Sequence, residues 1–559
     1  MSDPSSPPPS KDKPPIAYTY ENLTGWKSVR PLRPFRGIYH DICRRLPYYT
    51  SDFHDALTYR TLASSIRMYF VNILPAIAYS LDMYRRTGQF YGINEGLFSS
   101  ALAAIIFSLF SAQPLTIVGV TGLISLFNYT IYDIVTPYAP AIYPQFMCWT
   151  AIWAAVFHWI AAVFKGVEEL TNEFSTAGAT AGFTSCVIAI LYFLTIYFLE
   201  KLGSSTVCRS WFRGMLADYA YVIGTVFWVG FSHIPGNIKQ ANVSFVPISK
   251  AFYPTQPRGW LIHFWDLEVK WIFAALPFGL LVMLLFYYDH NISSLTAQAR
   301  QYPLKKPAGF HWDFFLLGCT TFLAGIVGIP LPNGLVPQAP VHTDSLTIYE
   351  TDLRIIATDE GEGAEIRRPI TKAIAVVEQR VSHLLMGLAI IGTMTGPLLV
   401  ILHTMPTAVF AGVFFIVGWG SIESNGILQK TIFLLREERF IQRDEPLLQV
   451  KRRKIVLYIA CQMIGVVACV AISQTIAAIG FPILIIALIP CRVWVIPKWF
   501  SQDELNILDD LTANNNAVLA SLGGPPRFMN QMTEDYGIER RYMEQRGGLA
   551  RQREGSIHR

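Results

Sequence analysis

An all-α polytopic membrane fold is predicted for this chain by three observations. Of its 559 residues 52% are hydrophobic and only 15% are charged, against about 25% charged in a soluble domain. Apolar runs of about twenty residues, the length a helix needs to cross a ~30 Å hydrocarbon layer, recur along the chain. Breaks rich in Pro and Gly interrupt it at matching places in two halves. The net charge of +5 lies mostly outside the apolar runs, so it reports topology and offers no case for nucleic acid.

Taken in order, spans are expected near 62–82, 95–111, 145–166, 180–200, 215–235, 268–289, 312–330, 383–403, 408–424, 455–473 and 475–496. Ahead of them, MSDPSSPPPSKDKPPI lacks the apolar core of a signal peptide, so residues 1–50 are expected to form a largely disordered cytosolic tail. The eight cysteines include no C-x-x-C pair and lie mostly in or beside apolar runs, where a buried thiol is the simplest role. The eleven histidines are dispersed, with no H-E-x-x-H or nucleophile motif. No metal, cofactor or enzyme activity is expected.

Orientation follows from Lys and Arg. Residues 27–60 hold seven of them, 430–454 hold eight, and the loop 290–311 holds Arg300, Lys305 and Lys306 with no acid. The positive-inside rule makes all three cytosolic. The intervening loop 237–265 is expected outside, which makes Asn242 in NVS a glycosylation candidate.

Lipid cannot satisfy freed backbone N–H and C=O groups, so a break at membrane depth belongs where it lines a cavity or is buried in protein. A pair of interrupted segments at corresponding positions is the sequence pointer to a transporter's binding site. Each half here begins with a span carrying a Leu-Pro step (Leu74-Pro75, Leu276-Pro277), continues with an unbroken span, and reaches a broken third element. These third elements are QPLTIVGVTGLISLFN at 113–128 and NGLVPQAPVHTDSL at 333–346.

Asp289 follows eighteen largely apolar residues. It either ends the helix at the interface or, if the helix continues, shares a polar face with Ser293 and Thr296.

Several separated motifs then resemble the solute-carrier family of bicarbonate and borate transporters, in the right order from about Asp52 to Asn514: AQPLTIVGVTG, YYDHNISSL, AGFHWDFFLLG, NGLVPQAPVHTDSL, EQRVSHLL and FPILIIALIPCRVWVIPKWFSQDELNILDD. The resemblance, closest to fungal and plant borate exporters, implies two inverted seven-segment repeats divided into core and gate domains. They would occupy 51–236 and 266–497, with a cytosolic tail over 498–559. It also implies a homodimer in the plasma membrane that exports borate or boric acid by alternating access. The substrate site would fall on Val120, Thr121, Gly122, Asp289, Ser293, Asn333, Pro337 and Gln338. Asp289 is the candidate for proton coupling, since its protonation would remove a charge conflict with an anion. Anion exchangers place an arginine where this chain has Gln338, which resembles the borate branch.

Two departures stand out. Gly122-Leu123 replaces the family's usual Gly-Pro. From 62 to 289 only seven crossings can be found, whereas two cytosolic ends require an even number. One gate segment is therefore expected to be missing after Phe174, in STAGATAGFTSC. A bicarbonate or other anion exchanger is the nearest alternative function. A non-transporting membrane scaffold or truncated isoform is the alternative of another class.

Overall fold

The computed structural model describes residues 35–163, 179–356 and 366–509, omitting within them 204, 206–207, 235–244, 248, 300, 308, 424, 438–440, 442–444, 474 and 476–479. Helix starts before the expected tail ends. In α1 (Arg36–Arg45), Arg44 and Arg45 close the last turn in the sense the helix dipole favours. Ile38 is buried in the core, and Gly37 abuts the His311 ring. The apolar face of α1 thus overrides the polar composition, and of the disordered tail expected over 1–50 only residues 1–34 lie outside the described residues.

After α2 (Ser51–His54), the first half runs α3 (Tyr59–Arg86), α4 (Ile93–Phe110), an extended arm bearing β1 (Val118–Gly119), α5 (Gly122–Val135), α6 (Tyr143–Val163), α7 (Ala179–Gly203), α8 (Ser210–Asp218) and α9 (Ala220–Ser232). The second half runs α10 (Val269–Ala274), α11 (Leu276–Ala297), α12 (His311–Val327), an arm bearing β2 (Asn333–Gly334), α13 (Gln338–Leu346), the hairpin β3 (Thr347–Ile356) and β4 (Ile366–Val376), α14 (Val381–Thr393), α15 (Gly396–His403), α16 (Thr407–Glu423), α17 (Gly426–Leu435), α18 (Arg452–Ser473), α19 (Phe481–Pro490) and α20 (Gln502–Leu508). Each half presents a long helix, a second helix, an extended arm and a short helix in that order. Among the described residues, five helices are long and apolar enough to cross a bilayer, and two bent pairs add two more.

The expected spans differ from the structure at four places. The span at 215–235 is two helices meeting at 61°, and that at 383–403 is two meeting at 83°. The latter breaks before Pro397, which cannot extend the preceding ladder but suits the first turn of a new helix. Pro277 likewise opens α11 instead of kinking a span, whereas Pro75 sits inside α3. The last expected span is formed from Phe481 by α19, a π turn at Cys491–Val495 and a 3-10 turn at Ile496–Lys498, residues 476–479 ahead of it lying outside the described ones. The hairpin β3–β4, paired from Thr347↔Val376 to Ile356↔Ile366, had no sequence signal.

Polar contacts define two faces. Asp52 gathers Arg45, Arg380 Nε and Lys306 Nζ at 2.7–2.8 Å. Arg380 also donates to Ser108 O at the end of α4. Asp41 accepts from the N–H groups of Phe310, His311 and Trp312 at the start of α12. Asp313 in turn accepts from those of Ala112 and Gln113. The N-terminal segment, the end of α4 and the 298–310 loop therefore share one face. On the opposite face, Arg86 at the end of α3 meets Asp133 near the end of α5, and Glu95 holds Thr255.

Helices α6 and α7 expose the parity problem. Gly325 packs on Ala151 and Gly318 on Trp159 and His158, so α6 runs antiparallel to α12 and ends at the N-terminal face. Glu200 near the end of α7 bonds Arg67 of α3, and Lys201 pairs with Glu423 at the end of α16. Gly412 lies against Tyr192 and Ala189, so α7 runs parallel to α16 and also ends at the N-terminal face. Two consecutive spans thus run in the same direction. The link between them, residues 164–178, lies outside the described residues. The expected junction at Phe174 lies outside the described residues.

Candidate functional site: two helix tips beside Asp289

The broken segments meet. β1 and β2 pair antiparallel, Val118 opposite Gly334 and Gly119 opposite Asn333, and Leu335 N donates to Ile117 O at 2.9 Å. Each arm thereby satisfies the other's backbone in a region buried throughout. Gly334 is required by packing: a Cβ there would stand 2.8 Å from His290 Cα and 3.2 Å from Asp289 O. This close approach sets the second arm directly on α11.

Two helices start from the arms. Thr121 is the N-cap of α5, its hydroxyl accepting from Ile124 N at 3.3 Å. Leu123, where Pro was expected, does not prevent the helix from starting at Gly122, because the Thr121 cap and the extended arm already fix its first turn. α13 starts at Gln338 after Pro337 and has no side-chain cap. Of its first N–H groups, that of Ala339 donates to Leu335 O and Pro340 has none, so Gln338 N is the donor this helix start offers an oxyanion.

Asp289 is not a helix end. α11 continues to Ala297, so Asp289 lies inside it, buried, with Ser293 one turn on. Thr296, the third member of the expected stripe, turns its hydroxyl to the carbonyls of Ile292 and Ser293. Asn333 Nδ2 donates to Asp289 Oδ2 at 2.8 Å, and Asn333 Oδ1 accepts from Gly334 N at 2.7 Å. Several buried polar atoms around this pair have no protein partner: Ser293 Oγ, Gln338 Oε1 and, from α3, Asn72 Oδ1. The asparagine faces Gly119, whose Cβ would stand 3.1 Å from Asn72 Oδ1. Ser100 of α4 approaches the same turn and accepts from Val120 N at 3.4 Å. The Tyr79 ring covers Gly122 and meets Phe414 of α16 at a tilt of 48°, ring centroids 5.0 Å apart.

The structure therefore brings Val120, Thr121, Gly122, Asp289, Ser293, Asn333, Pro337 and Gln338 into one neighbourhood. Asn242 lies outside the described residues. Asn72, Ser100 and Tyr79 were missed by sequence reasoning, although a lone asparagine inside the apolar run VNILPAIAY was a usable signal.

The family model for the HCO3- transporter integral membrane domain matches residues 33–170 and 165–513, two pieces that meet in the connection between α6 and α7. A Schizosaccharomyces pombe protein carrying a transporter name is 42% identical over 506 residues, covering 85% of this chain and 95% of that protein. Boron transporter 1 of Saccharomyces cerevisiae is 38% identical over 508 residues, covering 85% of each. The band 3 anion transport protein of Rattus norvegicus is 25% identical over 550 residues, covering 88% of this chain and 57% of the relative. Among solved structures, the transmembrane domain of the cyanobacterial bicarbonate transporter BicA overlays with a TM-score of 0.42 at 13% identity, covering 67% of this chain and 92% of that one. By the extent of the family match and the identity to the yeast proteins, the chain belongs to the family of the HCO3- transporter integral membrane domain.

Proposed function

We propose that this membrane transporter exports borate or boric acid across the plasma membrane by alternating access, with the substrate held between the tips of α5 and α13 beside Asp289. The carrying observation is a cluster of buried polar atoms, two amide oxygens that accept and one serine hydroxyl that can accept or donate. Ionised Asp289 accepts only, and Gln338 Oε1, Ser293 Oγ and Asn72 Oδ1 are buried without partners. Leaving such groups unpaired costs about 1–3 kcal/mol each. A ligand bearing several hydroxyls answers them, while its oxygens accept from the helix-start N–H groups. Boric acid and borate carry three and four hydroxyls, bicarbonate carries one, and halides carry none.

The N-terminal face is cytosolic by its Lys and Arg content. The two halves are read as inverted repeats, with the core built from α3–α6 and α11–α14 and the gate from the remaining spans of a homodimer. Protonation of Asp289 would couple export to the proton gradient. Exchange of bicarbonate or another anion is the competing reading, since a relative in the same family is named for anion transport. It lacks a fixed cation at position 338 to hold a halide or bicarbonate, where the neutral Gln338 stands.

The test is boron content in export-deficient cells expressing this chain, against Asp289→Ala, together with borate and bicarbonate flux in vesicles. Lowered boron that Asp289→Ala abolishes supports the proposal. Bicarbonate flux without borate flux overturns it.

A further inference from the structure

Arg67 occupies an unusual place on α3. Its guanidinium is largely buried and donates from Nη2 to Glu200 of α7 at 2.7 Å, while Nη1 stands 4.0 Å from Asp344 of α13. Its Nε is buried without a partner. Asp218 of α8 and Tyr221 of α9 lie within electrostatic reach of the same cation.

Both acids sit where their helices disfavour them. Glu200 is in the last turn of α7, and Asp344 is two residues from the end of α13. A helix C-terminus carries partial negative charge, so each carboxylate calls for a cation. One guanidinium stands between the two. The acids also belong to different packing units. Asp344 is on the short helix whose first residue is Gln338, and that helix is tied to α3 by the Ser64–Ser345 hydroxyl pair at 2.6 Å. Glu200 is on α7, which packs against α16 and α9.

We propose that Arg67 is a transfer latch on the cytosolic side of the transport path. In the state seen here it holds α7 against α3 through Glu200 and closes that side. When the unit of α3 and α13 moves relative to α7, the cation passes to Asp344, which lies little more than 1 Å beyond bonding distance. The exchange leaves neither state with an unpaired buried cation, which would be strongly destabilising. Arg67 is thus a positioning residue: it touches no substrate and acts through the helix that carries Gln338. The latch requires only that the chain transport by relative movement of these helices, and is independent of the borate reading.

The test uses the full-length protein carrying Ser65→Cys, a buried position two residues from Arg67 whose hydroxyl bonds only its own helix, as a reporter in inside-out vesicles, with thiol labelling at that peptide read by mass spectrometry. Glu200→Gln is expected to speed labelling by about fivefold or more, within the usual range of conformational couplings. Glu200→Asp should return it toward the parent rate. Asp344→Asn should leave resting labelling slow yet cut the maximal transport rate with KM little changed, because only the second station is lost. Unchanged labelling in Glu200→Gln, or equal effects of both acid variants on labelling, overturns the latch. Labelling needs no transported substrate, so a chain that fails to move boron but still shows the labelling pattern counts against the borate reading alone.

Discussion

Asn333 on the second arm donates to Asp289 of α11 at 2.8 Å across 44 residues of chain, while the same asparagine holds the N–H of Gly334 with its carbonyl oxygen. One side chain thus ties the acid's orientation to the β1–β2 pairing. Asn333→Ala should leave Asp289 without that donor. With charge-assisted hydrogen bonds worth ~1.5–3 kcal/mol, half-saturating substrate should rise about 10- to 100-fold. Asp289→Asn keeps the shape and removes the charge, so pH-driven export should vanish. Normal export by Asp289→Asn at every pH would refute proton coupling through this residue.

Gly334→Ala tests the crossing directly. The added methyl would meet His290 Cα at 2.8 Å and Ser293 Cβ at 3.1 Å. Backbone cannot step aside as a flexible side-chain end can, and overpacking of this kind costs about 1–3 kcal/mol. A lowered unfolding temperature in detergent together with lost transport is expected. Gly392→Ala, which meets nothing within 4 Å, should be neutral in both measurements.

The ion centre at Asp52 should govern folding. Three cations, Arg45, Lys306 and Arg380, share this fully buried carboxylate from three separate segments. Asp52→Ala would leave Arg45 and Arg380 without their carboxylate and Lys306 with Asp55 alone, at a cost on the order of 3–5 kcal/mol, and the amount of monodisperse protein recovered should collapse. Asp55→Ala, at the exposed partner of Lys306, should change it little.

Asp41 gives a pH dependence. Burial pushes its carboxyl up from the ordinary 3.8 to about 6, against the opposing pull of Arg44 and of three backbone N–H groups. Between those two values the folded chain keeps a proton that the unfolded chain has released. The contribution of this group is therefore fully present below about pH 4 and is lost as pH rises through 6. Thermal unfolding between pH 4 and 7 should show that slope in the parent and a flatter profile in Asp41→Asn.

The α6–α7 connection predicts something about the gene. Two successive spans run in the same direction with only residues 164–178 between them, and the family match divides at 165–170. Sequencing the transcript across these codons should reveal an additional stretch of roughly twenty apolar codons, one crossing's worth. A transcript that matches this sequence would mean that the chain is built without that span.

The sequence by itself determined that the chain lives in a bilayer and roughly where its helices lie. Apolar length is a local property, and the hydrocarbon layer imposes it residue by residue. Sequence also located the two breaks, because Pro and Gly act on the backbone where they stand, and it registered the odd count of crossings. Tertiary structure decided the rest. Whether Asp289 ended a helix depended on the Gly334 arm packing against α11, a contact that no run of neighbours in sequence encodes. Asn72 became part of the site only because α3 lies against Gly119, and the helical start at Arg36 depended on a surface offered by α12. Arg67 lies inside the span expected at 62–82, and only the fold sets two helix ends beside it. Contacts between residues far apart in the chain depend on the simultaneous placement of several helices, and linear pattern carries no record of that placement.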